Sequence, residues 1–352
     1  MGSWSRRRLG EALRSWLTQS VLLALVAGVA ALTGDRNLIL LVTSFFILSA
    51  MIVALQVFLG NSGIVSFGNL AFFATGAYTA AILTIPPETK AVALPMLPSF
   101  LQNIQLGLLP AVLGGAIAAG LLALLTGVVL TRMPANAMAM ATLALLVMVH
   151  TTINNWEAVT RGTIGIYGIP RNVTLAKALI VLVVTAGLAL LYKASPVGLR
   201  LLATREDPLA AQSLGIHVGS VRLIGWLLGA LLMGAGGSFW AQNVVAFGPD
   251  TFFFRDTFNM LAMLVIGGQA SVTGAIAGCF IVTAISELLR PLESGLVVGA
   301  TQLPRLDGVV HFSVALLILF FLIFRPSGLL GGWELTLPGW PQLRKDAKDM
   351  TA

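Results

Sequence analysis

The sequence predicts an all-α, polytopic integral membrane protein of about ten transmembrane helices. Three observations carry that expectation. Hydrophobic residues make up 57% of the chain and charged residues only 10%, against about a quarter charged in an ordinary soluble domain. Apolar stretches recur from residue 20 to residue 324, most of them long enough to cross a bilayer. Counted off as alternating crossings, these stretches leave the whole formal charge of +7 on one side.

Residues 1–19 carry Arg6, Arg7, Arg8 and Arg14, with Leu9, Leu13, Trp16 and Leu17 at helical spacing. They read as an amphipathic segment at the membrane surface. A basic region before an apolar run also suits a cleavable signal peptide, but the many later spans favour an uncleaved anchor. Spans are expected at about 20–34 and 38–59, followed by an apolar but Gly-rich third crossing that begins at Gly60–Tyr78. A proline-containing loop at 86–104 separates it from spans at about 106–130, 137–153 and 176–194. Further spans follow at about 221–243, 256–267, 273–290 and 309–324. Residues 256–267 fall short of the roughly 20 residues a crossing needs, so they suit a half-helix or a tilted, buried one. The membrane domain is thus 20–324, with a polar loop at 195–220 and a tail at 325–352.

Charge sets the orientation. With the N-terminus in the cytoplasm, the inside segments hold 13 Lys/Arg and 6 Asp/Glu, and the outside segments hold 8 of each. That is the positive-inside bias. Both termini are then cytoplasmic, and the basic balance marks orientation, so no nucleic-acid partner is implied. The lipid bilayer is the surrounding partner.

Several function classes are excluded by what is missing. The one cysteine, Cys279, lies in an apolar span, which leaves no disulfide framework or cysteine metal site. Glu287 and Arg290, three apart near the outer end of a span, should pair. His150 and His311 also fall near outer ends, and no Asp, Glu or Lys stands at mid-membrane. Proton-coupled transport usually needs such groups, and so do paired-carboxylate, metal or Ser/His/Asp chemistries. An enzyme is not expected, and no metal site is. The chain also has no G-x-x-x-x-G-K-[ST], so it does not cradle nucleotide phosphates. Active transport would draw its energy from a partner.

Four stretches stand out. GNSGIVSFGNLAFFATGAY (Gly60–Tyr78) is crowded with small residues, and GGQASVTGAIAG (Gly267–Gly278) repeats the theme in the second half. Small residues let helices pack closely. Equally, a pair of Gly-interrupted spans can mark a broken-helix pathway. On that second reading Ser66, Gly68, Asn69, Phe72, Gly76, Thr142, Gly267, Gly268, Ser271 and Gly274 are candidate pathway-lining residues. The outer loop NNWEAVTRGTIGIYGIP (Asn154–Pro170) reads as turn-rich, with Gly162, Gly165 and Gly168 before Pro170. Its Asn154, Asn155, Trp156, Gly165 and Gly168 are candidates for the outer mouth, and Trp156 and Tyr167 equally suit interfacial anchoring. Finally, TREDPLAAQSLGI (Thr204–Ile216) predicts a short capped helix held outside the membrane. Asp207 is its N-cap, Pro208 its first residue and Gly215 the left-handed residue that ends it.

Together with the ATLAL of Ala141–Leu145, GLRLLATREDPLAAQSLGI (Gly198–Ile216) and RPSGLLG (Arg325–Gly331), these stretches resemble the permease subunits of branched-chain amino acid ABC importers, specifically the M-type member of the H/M pair. The resemblance covers roughly residues 40–330. It implies a type II-like importer fold in the bacterial cytoplasmic (inner) membrane. It implies a homologous second permease, a periplasmic or extracellular solute-binding protein, and two cytoplasmic ATP-binding subunits that use ATP and Mg. No cofactor is implied on this chain itself. By the same resemblance the short helix is the coupling helix that seats on an ATPase, through Ala210, Ala211 and Gly215 with Arg205 and Glu206 at its edge. Two departures stand out: Leu209 replaces the first residue of the E-A-A pattern, and Ala270 replaces a glycine of the G-G-x-G-S turn. Related permeases carry urea, short amides or sugars, so the cargo stays open, as do an ATP-independent uniporter or channel and a structural or assembly role.

Overall fold

The computed structural model describes residues 3–294, 297–298, 301–302, 308–325 and 327–336. The helices are α1 (Ser3–Thr33), α2 (Arg36–Ser62), α3 (Asn69–Thr84), α4 (Pro87–Ala93), α5 (Ser99–Gln102), α6 (Leu108–Leu130), α7 (Ala135–Asn155) and α8 (Glu157–Thr160). They continue as α9 (Leu175–Ala194), α10 (Pro196–Glu206), α11 (Pro208–Ser213), α12 (Val218–Val244), α13 (Phe254–Gly267), α14 (Val272–Ser294) and α15 (Val309–Phe324). Besides helices, the described residues hold a two-residue antiparallel pair, Val297–Val298 with Thr301–Gln302. The all-α, polytopic expectation is met.

The count of ten crossings is not. Among the described residues seven helices are long and apolar enough to span a membrane, or eight if α3 and α4 form one bent span: α2, α6, α7, α9, α12, α1 from Arg8 onward, and α14 to Glu293. Helix α3 has 16 residues and bends by 118° into α4, while α13 has 14 residues and α15 has 16. At about 1.5 Å per residue these three reach only about 21–24 Å, short of a hydrocarbon core of about 30 Å. Residues 256–267, expected as a half-helix, indeed form a short one. The amphipathic segment expected at 1–19 is not set apart from the first span, because α1 runs unbroken through it. Trp16 on this stretch packs against Gly187 of α9 and donates its indole N–H to Val183 O at 2.8 Å. The basic tail beyond residue 336 and His311's side chain lie outside the described residues.

Helices α2 and α12 form the centre of the bundle. Phe58 of α2 and Phe72 of α3 both meet Trp226 of α12 edge-on, at 5.2 and 5.1 Å between ring centres. Lipid tails are as apolar as leucine, so membrane helices associate through close packing and small residues. Helix α12 shows this at both its neighbours. A Cβ on Gly76 of α3 would overlap the backbone of Gly234, and one on Gly115 of α6 would overlap Ser238 Oγ. Ser238 bridges all three helices, donating to Gly76 O at 3.2 Å while sharing Gly234 O at 2.9 Å.

The loop expected at 86–104 is more ordered than its prolines suggested. Lys90 is fully buried, and its ammonium donates to Leu101 O at 3.1 Å and also to Ile104 O. The cation therefore holds together a segment that reads as merely polar.

Candidate functional site

Both Gly-rich stretches break their helices. Helix α2 ends at Gly63, which takes a left-handed φ of 70°, and the chain stays non-helical to Gly68. Its backbone is held from α7: the Phe67 N–H donates to Thr142 Oγ1 at 3.1 Å, and Thr142 donates on to Ala139 O at 2.7 Å. Asn69 donates to Ser66 O at 3.0 Å, and the buried Ser66 hydroxyl has no hydrogen-bond partner among the described residues. The second break, Gly268–Ser271, joins α13 to α14, with Gly268 at φ 116°. Irregular backbone at membrane depth needs partners for its polar groups, and Thr142 supplies one. Thr142→Val should leave the Phe67 N–H unpaired at a cost of about 1–3 kcal/mol. The expected result is a lower unfolding temperature in detergent and faster amide exchange across residues 63–68.

The two breaks touch. A Cβ on Gly60, at the end of α2, would overlap Gln269 O in the second break. Arg205 of α10 donates to Gly60 O at 2.6 Å, and its side chain lies over Gly63, where a Cβ would come within 2.8 Å of Arg205 Cγ. Lys193, in the last turn of α9, donates to Ala270 O at 2.6 Å. The end of α2, both breaks and the α9–α10 junction therefore gather at one end of the bundle.

Helix α11 projects from the same end and is punctuated as its sequence predicts. Asp207 accepts from Leu209 N at 2.8 Å and Ala210 N at 3.1 Å, Pro208 is the first helical residue, and Gly215 has φ 79°. Gly215 N bonds Gln212 O at 2.9 Å and Ile216 N bonds Ala211 O at 3.1 Å. These are the two bonds of a Schellman ending. Two features differ from expectation. Residues 195–220 are not a simple loop, since α10 precedes α11, with Ser195 capping it at Gly198 N and Pro196 opening it. Ala211 is not on the outer face: it is 3% exposed and turns into the chain. Leu209 and Leu214, at 76% and 79% exposed, flank Ala210 there instead. Two clefts of about 480 and 390 Å³ lie along the α11–α12 junction, sharing Gly215, Ile216, His217 and Ser220. Arg132 lines one and Arg200 the other.

Several candidate pathway residues make close packing contacts. Phe72 and Gly76 are buried in the α3–α12 contact. Gly267 and Gly274 let α13 and α14 approach backbone to backbone, and Ser271 Oγ accepts from Gly274 N at 3.0 Å. Gly68 packs on Thr142, where a Cβ would sit 2.9 Å from the Thr142 carbonyl. These glycines thus make the close helix contacts that one of the two readings expected. Ser66, Asn69 and Thr142 remain at the first break, and Phe67 joins them, its ring 5.8 Å from that of Phe258 on α13. Nothing in the sequence pattern paired those two rings.

The opposite end carries the expected turn-rich loop. Gly162, Gly165 and Gly168 all have positive φ, at 55°, 81° and 80°. Ile166 pairs with Phe247 through bonds of 2.9 and 3.0 Å, and Gly165 and Gly168 sit against Phe247 and Thr89. Asn154 contacts His150 Nε2 at 2.8 Å and Asn155 bonds Thr151 O at 2.8 Å, so both amide nitrogens are engaged locally. Trp156 and Tyr167 are exposed, and the Arg161 guanidinium lies 4.5 Å above the Tyr167 ring. Beneath the loop, Phe73, Tyr78, Trp240, Phe247 and Phe252 form an aromatic cluster. The expected Glu287–Arg290 pair is present at 3.1 Å.

Comparison with known proteins gives this architecture a family. The chain is 23% identical over 314 residues to the high-affinity branched-chain amino acid transport system permease protein LivM of Escherichia coli (strain K12), covering 79% of this chain and 66% of that protein. It is 28% identical over 137 residues to LivM of Salmonella typhimurium, covering 38% of this chain and 28% of that protein. It is 30% identical over 121 residues to a probable branched-chain amino acid transport permease protein LivH of Methanocaldococcus jannaschii, covering 34% and 37%. The chain thus spans at most about two thirds of the length of these relatives. No solved structure matches. Residues 37–323 match the family described as the permease component of the branched-chain amino acid transport system. That match takes in every helix from α2 to α14 and nearly all of α15, and the chain belongs to this family of multi-pass membrane transport components, which are not enzymes.

Proposed function

We propose that this chain is the M-type permease of an ABC importer for branched-chain or other hydrophobic amino acids. It forms half of a translocation pathway whose other half is a homologous permease. Two ATP-binding subunits drive it from the cytoplasm, using ATP and Mg that this chain does not bind, and a solute-binding protein delivers the cargo from outside. The end bearing α11 faces the cytoplasm, and the 154–170 loop faces the solute-binding protein.

The observation that carries this reading is α11 itself. A six-residue helix alone in water is far below the length at which helices persist, yet this one is capped at both ends and shows Leu209, Ala210 and Leu214 outward. Exposed leucines on a rigid, low-profile helix suit insertion into a groove on another protein, and the chain has no nucleotide motif of its own to supply energy. ATP binding closes the two ATPases and moves the seated helix. Arg205, bonded to Gly60 O, passes that movement to the end of α2 and the first break. Transport follows because the ATPase state favours one membrane conformation over the other.

Arg205→Ala, which removes that link but leaves α11's caps intact, is expected to lower ATP-driven uptake about tenfold with normal membrane content. A cysteine placed at Ala210 and labelled with a thiol-reactive photo-crosslinker should cross-link to an ATPase subunit in the assembled complex on illumination. Absence of that cross-link, with the complex otherwise intact, would remove the docking role from α11. The cargo is read from the binding protein, whose melting temperature rises with solutes that bind only its folded form.

A further inference from the structure

The RPSGLLG motif and the residues after it are not accounted for by helix docking or by pathway lining. After α15 the chain turns back beneath the α13–α14 break. Leu329 N bonds Ile266 O at 2.9 Å and Leu330 N bonds Gly267 O at 3.1 Å, so the returning backbone satisfies carbonyls at the end of α13. Gly328, at φ 76°, lies so close that a Cβ would be 2.6 Å from Gly268 N and 2.7 Å from Val265 O.

The same segment reaches the start of α14. One Glu334 oxygen accepts from Val272 N at 3.0 Å; the other accepts from Thr273 N at 3.1 Å and Thr273 Oγ1 at 2.9 Å. The carboxylate thus sits on the positive end of α14, where negative charge is favoured. It also forms an ion pair with Lys193 Nζ at 2.7 Å, and both side chains are partly buried. Lys193 donates as well to Ala270 O in the break itself. Gln19 of α1 donates to Thr273 Oγ1 at 2.7 Å, and Leu335 N donates to the same oxygen at 3.0 Å.

One short segment therefore caps both helices of the break and ties it to Lys193 at the end of α9, three residues before the α10–α11 arm begins. We infer that residues 327–336 are a clamp, with Glu334 and Lys193 as positioning residues that make the α13–α14 break move with α9 when α11 moves. The transmission part of this inference rests on the importer reading; the clamp itself rests on the bonds above. Arg205 ties the arm to the first break and Lys193–Glu334 ties it to the second, so both breaks follow a single input. Charge-assisted bonds of this kind are about twice as strong as neutral ones, which suits a link that must bear movement.

The test uses the full chain in its assembled complex with Glu334→Ala, Glu334→Gln and Lys193→Met. In Glu334→Ala, amide exchange at residues 272–273 and 329–330 should rise at least about tenfold while α2 and α12 stay protected. Uptake per ATP hydrolysed should fall about tenfold, with ATP hydrolysis itself retained. Glu334→Gln keeps an oxygen for one N–H but loses the ion pair, so it should match Lys193→Met and fall between wild type and Glu334→Ala. Uptake and hydrolysis falling together in equal measure, or an unchanged ratio, would overturn the transmission role. Unchanged exchange at 272–273 would overturn the clamp. If the unsubstituted complex shows no ATP-driven uptake at all, the importer reading fails, and the exchange measurement still decides whether the clamp exists.

Discussion

Replacing Gly215 with valine is expected to abolish ATP-driven uptake while leaving the protein folded in the membrane. The residue sits at φ 79°, and a Cβ there would meet nothing within 4 Å among the described residues. The penalty is therefore conformational, about 1–2 kcal/mol for any L side chain and worse for a β-branched one. It falls entirely on a helix of six residues, whose ending depends on the Gly215 N and Ile216 N bonds to Gln212 O and Ala211 O. Losing those bonds lets α11 fray and scatters Leu209, Ala210 and Leu214. Asparagine tolerates the left-handed region better than other residues with a side chain, so Gly215→Asn should retain most of the uptake that Gly215→Val loses. Membrane content and uptake measured side by side check both expectations; normal uptake by the valine variant would remove α11 from the transport cycle.

The second large effect should be of the opposite kind. Gly76→Val is expected to prevent accumulation of folded protein, because its side chain would meet the Gly234 backbone, which cannot yield as a side-chain tip can. Overpacking typically costs about 1–3 kcal/mol. Here the same crossing also places Gly76 O against Gly115 and Ser238, so three helices must separate together. Low yield and a protease-sensitive product are the expected readouts, whereas uptake lost at normal yield would return Gly76 to the pathway.

These two glycines show where the sequence was legible. Helix α11 could be read because its signals are local: a capping aspartate, a proline in the first turn and a glycine after the last all act within a few residues. The same holds for the breaks after Ser62 and Gly267, and for the glycine turns at 162, 165 and 168, where the left-handed backbone is a property of the residue itself. Gly76, Gly267 and Gly274 could not be assigned from sequence, because a small residue allows close approach without saying what approaches. Phe72 was open for a related reason: an apolar ring in a span can face Trp226 or a channel equally well. Ala211 points inward because α11 packs against its neighbours, a fact outside any six-residue pattern. Helix α10 was missed in a stretch whose charges read as loop, although Ser195 and Pro196 were a usable start signal. Lys90 also escaped, since two main-chain carbonyls bury a cation that composition places in water. The count of ten is not confirmed because α3, α13 and α15 are shorter than a length rule requires.

The central proposal is that this family member forms half of the membrane pathway of an ATP-driven importer for branched-chain or other hydrophobic amino acids. Its most direct test is uptake of labelled leucine, isoleucine and valine into vesicles holding this chain with its second permease and two ATPases, with the binding protein outside and ATP enclosed. Accumulation against a gradient that requires both ATP and the binding protein is the predicted result. Uptake of equal rate and extent without ATP would contradict it and identify a passive carrier instead.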